Sequence, residues 1–511
     1  MKKICRMFFS RYAISAIAIL IQVMAVVYLF VTAASAGFYI SLVSMLFSVI
    51  AFLSLVNRET NPEYKIPWSF IILALTPAGA ILYFLFYKRK LTRKETKRLK
   101  TVFGRMRRTG LSGDSFNELV KADPAAEGKA RLILKGDVLA EVYGKTESAI
   151  FNTGEDYFVA LKKDLKEAEK YIFLEYFIIN EGRLWSEIHE ILKNKVREGV
   201  EVRLLYDDVG CMKTLPSRYE RTLRREGILA YRFSRVSAKV SSIHNNRDHR
   251  KICIIDGKYG YTGGVNISDE YANYVVRCGY WKDGGIRLSG DAVLGLLKLF
   301  LSLWDLTAGT DSDYKSLAES VTPSEKPDGG YYIPFGSGPS PIYRRSVGED
   351  AFRTLINQAQ SYLYITTPYL IIDHDLTEAL VGAAMRGVDV RIITPGIPDK
   401  KNIKIMTKSS YPTLSSAGVK IYEYIPGFIH EKTLICDDKY LVIGTINFDY
   451  RSFVHHFEDA VLICSSPVIT EQRESFKKTL RVSERVDFAL TRLTFTEWIF
   501  KIGMRIFAPL L

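Results

Sequence analysis

Two short stretches of this chain carry the same side chains at the same spacing. His249, Lys251 and Asp256 are followed by Gly263 and Asn266, and His430, Lys432 and Asp437 are followed by Gly444 and Asn447. Counted from each His, the Lys lies at +2, the Asp at +7, the Gly at +14 and the Asn at +17. Five identities at five offsets in two copies are not a chance pattern. An imidazole can act as nucleophile and as proton donor near neutral pH. An ammonium and an amide beside it can hold anionic oxygens. Two such sets around one pocket suit displacement at phosphorus. One His attacks and the other protonates the departing alcohol, while Lys251, Lys432, Asn266 and Asn447 stabilise the equatorial oxygens. The lysines supply the positive charge, so this chemistry calls for no metal and no cofactor.

The elements that must position these groups are duplicated too. The apolar runs Ile252–Ile255 and Thr433–Cys436 read as strands. Residues i and i+2 of a strand point the same way, so each His–Lys pair faces one side. Tyr171–Ile179 is echoed by Tyr362–Leu370, and Gly199–Leu205 by Gly387–Ile393. Each of these follows a helical pattern, at 155–170, 349–360, 184–197 and 375–386. Strand–helix–strand order predicts βαβ units and a largely parallel sheet in each half, an α/β fold. The Ser-, Asp-, Gly- and Pro-rich stretch 308–330 reads as the linker between the halves.

The 511 residues hold 70 Lys+Arg against 56 Asp+Glu, a net charge of +14, with 48% hydrophobic residues. The excess is local. Residues 1–12 carry a net +4 and residues 88–108 a net +10, so the rest is neutral in sum. That argues against a nucleic-acid partner, whose binder spreads basic charge over its folded face. Both basic flanks border apolar sequence, which points to a membrane and anionic phospholipids. Three apolar stretches, 13–33, 37–56 and 66–87, are each near the ~20 residues that cross a bilayer. The first is too long for a cleaved signal peptide and reads as an anchor. The strong flank at 88–108 puts all that follows in the cytoplasm. Three full spans would leave the N-terminal flank outside, against the rule that basic flanks stay in the cytoplasm. Two, with one stretch not fully crossing, would keep both flanks inside. The expected number is two or three. Phe495, Trp498, Ile499, Ile502 and Ile506 fall on one stripe of a C-terminal amphipathic helix. The six scattered cysteines form neither a disulfide framework nor a zinc site. Cys253 and Cys436 read as core packing, and His244, His455 and His456 as structural residues.

The duplicated H-x-K-x(4)-D motif resembles the signature of the phospholipase D superfamily. The wider sequence is similar to bacterial cardiolipin synthases: Asn61–Trp68, Leu174–Phe177, Leu205–Gly210, Asn246–Ile252, Gly263–Asn266, Thr367–Tyr369, Ile421–Tyr424, Pro426–His430 and Asn447–Ser452. This resemblance implies two phospholipase D-like βαβ domains in a pseudo-twofold arrangement, with mixed sheets flanked by helices, preceded by N-terminal transmembrane helices. The expected division is a membrane domain at 1–90, a basic linker at 91–135, domains at 136–315 and 316–487, and the C-terminal helix at 488–511. It also implies a reaction in which two phosphatidylglycerols give cardiolipin and glycerol through a phosphatidyl-histidine. His249 would be the nucleophile and His430 the general acid. A carboxylate would orient each His: Glu458 matches for the second half, and Asp283 is the nearest candidate in the first. Asp256 and Asp437, though part of the catalytic motif, are expected to brace the site. The rival functions are a related phospholipase D-type hydrolase, a transferase with another donor or acceptor, and, behind these, a nuclease or an inactive scaffold. Three departures from the family pattern stand out: Glu431 where a small residue is usual, Trp281-Lys-Asp-Gly-Gly285 in place of Trp-Arg-Asp-Thr-His, and three leading apolar stretches instead of two. Glu431 is expected to face away from the pocket with little effect.

Overall fold

A computed structural model describes residues 20–25, 27–28, 38–58, 60–87, 91–108, 113–235, 246–343 and 345–486, with positions 495, 501, 503 and 504. Residues 1–12, most of the first apolar stretch, His244, and Trp498, Ile499, Ile502 and Ile506 of the C-terminal stripe lie outside the described residues. The chain divides into two compact units, a smaller one that holds the described residues up to 87 and a larger one that holds 91–235 and 247–486.

The smaller unit contains α1 (Phe38–Val56), α2 (Pro62–Ala74) and α3 (Ala78–Phe86). Asn61 caps α2 by accepting the Glu63 N–H at 3.0 Å, with Pro62 at the first helical position, where its missing N–H costs nothing. The third apolar stretch, expected as one span, is two helices. Pro77 has no N–H to continue α2. Gly79 lets the chain fold back, because a Cβ there would collide with the Ile71 backbone. Trp68 on α2 then meets Tyr83 and Tyr87 at ring separations of 5.9 and 6.0 Å. Among the described residues no helix is long and apolar enough to cross a membrane.

The larger unit is built from two sheets of one design. The first contains β1 (Thr146–Phe151), β2 (Tyr171–Tyr176), β3 (Glu201–Asp207), β4 (Leu229–Phe233), β5 (Lys251–Ile255) and β6 (Tyr259–Gly263). After the short β7 (Tyr280–Lys282) comes its last strand, β8 (Gly285–Gly290). Its order is β1-β8-β6-β5-β2-β3-β4. The second half supplies β9 (Tyr331–Ser337), β10 (Tyr362–Thr366), β11 (Leu370–Ile371), β12 (Asp389–Pro395), β13 (Lys420–Tyr424), β14 (Gly427–Ile429), β15 (Thr433–Cys436), β16 (Tyr440–Gly444), β17 (Phe448–Asp449), β18 (Glu458–Cys464) and β19 (Ser483–Arg485). Its order is β9-β18-β16-β15-β10-β12-β13-β19, which repeats the first with one strand added at the edge.

Each sheet is mixed, where βαβ patterning alone predicts a largely parallel one. Only β2-β3-β4 and β10-β12-β13 run parallel. The motif strands β5 and β15 join antiparallel and turn straight back as hairpins into β6 and β16. The turns need left-handed backbone, and Asp256, Gly257, Asp437 and Asp438 supply it with φ between 54° and 65°. Between the halves a helix, Val293–Ala308, is buried almost all round, as its near-continuous apolar sequence requires. The basic helix Arg93–Arg108 lays Leu99, Val102, Phe103 and Met106 against it. That leaves Lys94, Lys97, Lys100, Arg107 and Arg108 facing outward.

The halves share one continuous apolar core, and they are also joined strand to strand along a seam. β7 of the first half pairs in parallel with β14 of the second. Asp248 bridges Phe457 in the same sense.

Candidate active site

The seam carries both motif histidines, and it holds them reciprocally. His249 donates its backbone N–H to the carbonyl of Phe457 at 2.9 Å, and His430 donates its own to the carbonyl of Lys282 at 2.8 Å. The next residues on those partner segments are Glu458 and Asp283. Glu458 Oε2 lies 2.9 Å from His249 Nδ1, and Asp283 Oδ2 lies 2.6 Å from His430 Nδ1. Sequence neighbourhood assigns each carboxylate to its own half. In the fold each reaches the imidazole of the other half.

The lysines close the cluster. Lys251 donates to the His249 carbonyl at 2.7 Å. Lys432 reaches the His430 carbonyl and lies 2.8 Å from His430 Nδ1. All four motif side chains and both carboxylates are buried. Burial, helped by the cationic lysines of both halves, holds the two imidazoles well below their ordinary proton affinity. The same burial lowers Lys251 to about 8 and Lys432 to about 7. It raises Asp283 to about 6, since loss of hydration outweighs the nearby Lys432. Both imidazoles are therefore neutral, in a buried cluster whose two lysines stand against the carboxylates Glu458 and Asp283. Phe177 packs on His249 and Tyr271 on His430, at ring separations of 4.9 and 5.3 Å.

The remaining sequence candidates divide. Asn266 accepts the Ile178 N–H at 3.0 Å and donates to the Tyr271 hydroxyl at 2.8 Å, so it joins the site through Tyr271. The Asn447 side-chain oxygen is buried and has no hydrogen-bond partner among the described residues. Asp256 and Asp437 stand apart, at the far ends of β5 and β15, about 20 Å along the strand from the histidines. Asp256 accepts the N–H groups of Glu169, Lys170 and Tyr171 at 2.7–2.8 Å. Asp437 accepts those of Gln360, Ser361 and Tyr362 at 2.8–2.9 Å. Each cages the turn that starts the neighbouring strand and touches none of the reacting groups.

Two of the departures from the family pattern meet in one contact. Glu431 turns away from the His430 ring but is buried, 2.6 Å from the Lys282 ammonium, and it also accepts from Gln472. This pair ties β7, and with it Asp283, to the half that carries His430. The Gly284–Gly285 step has a steric origin: a Cβ on Gly284 would collide with the Phe151 carbonyl, and one on Gly285 with the Thr262 carbonyl.

Sequence reasoning missed His456. Its ring lies 5.3 Å from that of His249, and its Nδ1 is 3.5 Å from the second oxygen of Glu458. Arg451 donates to its Nε2 at 3.4 Å. No residue at the matching offset in the first half is a histidine, so duplication could not flag it. Thr445, which donates to Glu458, and Asp459, which accepts from Thr262 at 2.5 Å, were missed for the same reason. His249, His456 and Glu458 present ligand atoms within 4.8 Å of one another, the distance a metal ion would need. The cationic Lys251, Lys432 and Arg451 around His249 oppose a cation there.

The chain matches the family described as "Cardiolipin synthase, PLD-like domain" over residues 161–275 and 352–480. It matches "Phospholipase D-nuclease N-terminal" over residues 46–86. A protein of Streptococcus mutans serotype c, described as uncharacterized, is 40% identical over 471 residues, which cover 90% of this chain and 99% of that one. The cardiolipin synthase of Alkalihalophilus pseudofirmus is 33% identical over 467 residues, covering 89% and 90%. The solved structure of a phosphatidylserine synthase from Haemophilus influenzae shares the fold, with a TM-score of 0.57 at 14% identity over 75% of this chain and 97% of that one. With two motif histidines in one seam and relatives matched almost end to end, this chain belongs to the cardiolipin synthase family of phospholipase D-like proteins.

Proposed function

We propose that this chain is a cardiolipin synthase that moves a phosphatidyl group from one phosphatidylglycerol to another and releases glycerol. The observation that carries the reading is the reciprocal bracing of His249 and His430 between two buried lysines. With Nδ1–H directed at Glu458, His249 has its Nε2 lone pair free to attack phosphorus. The P–N bond forms as the bond to the glycerol oxygen breaks, and His430 passes its proton to that oxygen. A second phosphatidylglycerol then gives a hydroxyl proton to His430 and attacks phosphorus, and the P–N bond breaks to free His249. Lys251 and Lys432 offset the charge gathering on the equatorial oxygens. His430 is neutral in the empty site, and an anionic phosphodiester between the lysines cancels their field and raises its proton affinity. Substrate binding therefore takes up the proton that the leaving group needs. Asn266 and Asn447 complete the substrate contacts in this reading.

The N-terminal stretches are read here as a multi-pass anchor of two or three spans within residues 1–90, with a linker at 91–135 and catalytic halves at 136–315 and 316–487 on the cytoplasmic side. This is supported by the apolar surface that the smaller unit presents: Val43, Met45, Leu46, Ile50, Leu53, Phe70, Leu73 and Leu85 are all more than half exposed. A soluble surface does not carry such a patch unoccupied. The outward charge of Arg93–Arg108 suits anionic headgroups on the cytoplasmic side.

The test is product analysis. Purified protein with labelled phosphatidylglycerol and a chelator should yield cardiolipin and free glycerol in equal amounts, and the His249→Ala and His430→Ala variants should yield neither. Phosphatidic acid as the sole product, with water as acceptor, would replace the transferase with a hydrolase.

A further inference from the structure

Five large apolar side chains stand exposed in three loops at the His430 end of the seam. Val275, Val276 and Tyr280 lead into and open β7, Ile397 follows β12, and Ile425 lies between β13 and β14. Val276 is 87% exposed, and the other four are between 37% and 47%. The loops are bound together. The Tyr280 N–H donates to the Pro426 carbonyl at 2.9 Å and the Ile397 N–H to the Gly427 carbonyl at 3.2 Å. Gly279, at φ +71°, lets them close up, since a Cβ there would press on Gly427 and on Ile397 Cδ1. The result is one raised apolar rim. Single exposed apolar residues are ordinary, but a contiguous set marks a contact surface. One carboxylate touches it, Glu155, which accepts from the Tyr280 hydroxyl at 3.1 Å, and cations flank it elsewhere. Lys400 and Lys401 are exposed beside Ile397. Arg277 projects next to Val276 with its side chain 59% exposed, one nitrogen held by Glu270. Lys400 is near enough to the site to depress His430.

An apolar rim set among cations fits the boundary between anionic headgroups and acyl chains. The spacing fits as well. From Tyr280 to Asp283, and from Gly427 to His430, is three residues of extended chain, about 10 Å. Interfacial elements sink about 5–10 Å below the headgroup level. A rim sunk to that depth sets the imidazoles level with the lipid phosphates. We propose that Val275, Val276, Tyr280, Ile397 and Ile425 seat the catalytic halves on the surface of an anionic phospholipid bilayer, so that a phosphodiester enters the site without leaving its own plane. This inference rests on the lipid-transfer reading above and names the surface through which the lipid arrives.

The experiment uses the full chain reconstituted in vesicles of phosphatidylglycerol and phosphatidylcholine. A Val276→Trp variant is compared with Met385→Trp, placed at a position 76% exposed on the helix His374–Met385. Phosphatidylglycerol brominated in its acyl chains is the quencher, and wild-type emission is subtracted. The added emission of Val276→Trp should be blue-shifted and at least halved by the brominated lipid, and that of Met385→Trp should be neither. The Val275→Ser/Val276→Ser/Ile397→Ser variant should lose at least tenfold in transfer on vesicles and less than threefold on dispersed short-chain phosphatidylglycerol. Equal quenching at the two positions, or equal losses on the two substrates, overturns the proposal. Shielding at position 276 that grows only with protein density marks a second copy of the chain as the occupant and also overturns it. Quenching without cardiolipin formation upholds the docking surface and removes the lipid-transfer reading. Cardiolipin formation without quenching does the reverse.

Discussion

The two ends of the motif strands differ in how closely the halves match. At the aspartate end the halves are interchangeable: Asp256 and Asp437 share a φ of 54° and cage three successive backbone N–H groups with the same pattern of oxygens. At the histidine end they differ. His249 is braced by a carboxylate that also abuts His456 and receives Thr445. His430 is braced by a carboxylate held by the backbone N–H of Gly284 at 2.8 Å, and a lysine approaches the same ring nitrogen. Folding places equal demands on both halves and keeps the far ends alike. In the transfer mechanism proposed here one imidazole attacks and the other gives and takes a proton, and the unlike near ends suit that division.

The sharpest way to break this comparison is to remove the crossed carboxylates. Glu458→Gln and Asp283→Asn should each lower kcat about 10³-fold or more while leaving the fold intact, because each imidazole loses its orientation and tautomer. With a donor whose leaving group needs no proton, such as a p-nitrophenyl ester, Asp283→Asn should regain most of its rate of first-turnover p-nitrophenol release and Glu458→Gln should not. Equal behaviour would mean that the histidines share one role.

The lysines give the next effect. Folding holds Lys251 at about 8 and Lys432 at about 7, against 10.5 for a free lysine. Both are depressed, so the stability they allow is full above pH 10.5 and is lost as pH falls through the folded values. Buried carboxyls with raised proton affinity, Glu349 at about 8 and Asp248 at about 7, pull the profile the other way, so the lysines are read as a difference. Between pH 7 and 9 the thermal stability of wild type relative to Lys432→Met should rise with pH by about 2 kcal/mol, and relative to Lys251→Met by less. A difference that stays constant with pH would contradict a buried, depressed Lys432.

Where the halves match, matched losses are expected. Asp256→Ala and Asp437→Ala should each destabilise the protein by about 2 kcal/mol in chemical unfolding, through three orphaned N–H groups, with kcat within threefold of wild type. A large loss of kcat in one alone would place that aspartate in the chemistry. The smallest effect belongs to the feature without a counterpart. His456→Leu should lower kcat about tenfold with KM unchanged, by loosening Glu458. A change in KM alone would make His456 a substrate contact instead.

Much of this could be read in the sequence, and the reason is duplication. Two copies of His and Lys at one offset identify a strand face, and the repeated Asn and Gly extend it. What lacks a second copy was hidden. The exchange of Asp283 and Glu458 depends on β7 pairing with β14 and on Asp248 bridging Phe457 between halves, and nothing local to either residue encodes that partner. His456 sits beside a histidine that looks equivalent in sequence and gains its place from the bridge between Asp248 and Phe457. The antiparallel course of β5 and β15 was signalled by the turn residues at Asp256 and Asp437 rather than by the strand itself. The split of the third apolar stretch follows from Pro77 and Gly79, whose effects hydropathy averages away.

The crossed carboxylates also set a timetable. A chain leaving the ribosome presents His249 long before residue 458 has been made, and until then that imidazole has no partner for Nδ1. Reactivity of that imidazole toward lipid is thus withheld from the growing polypeptide until the segment that carries Glu458 has been made.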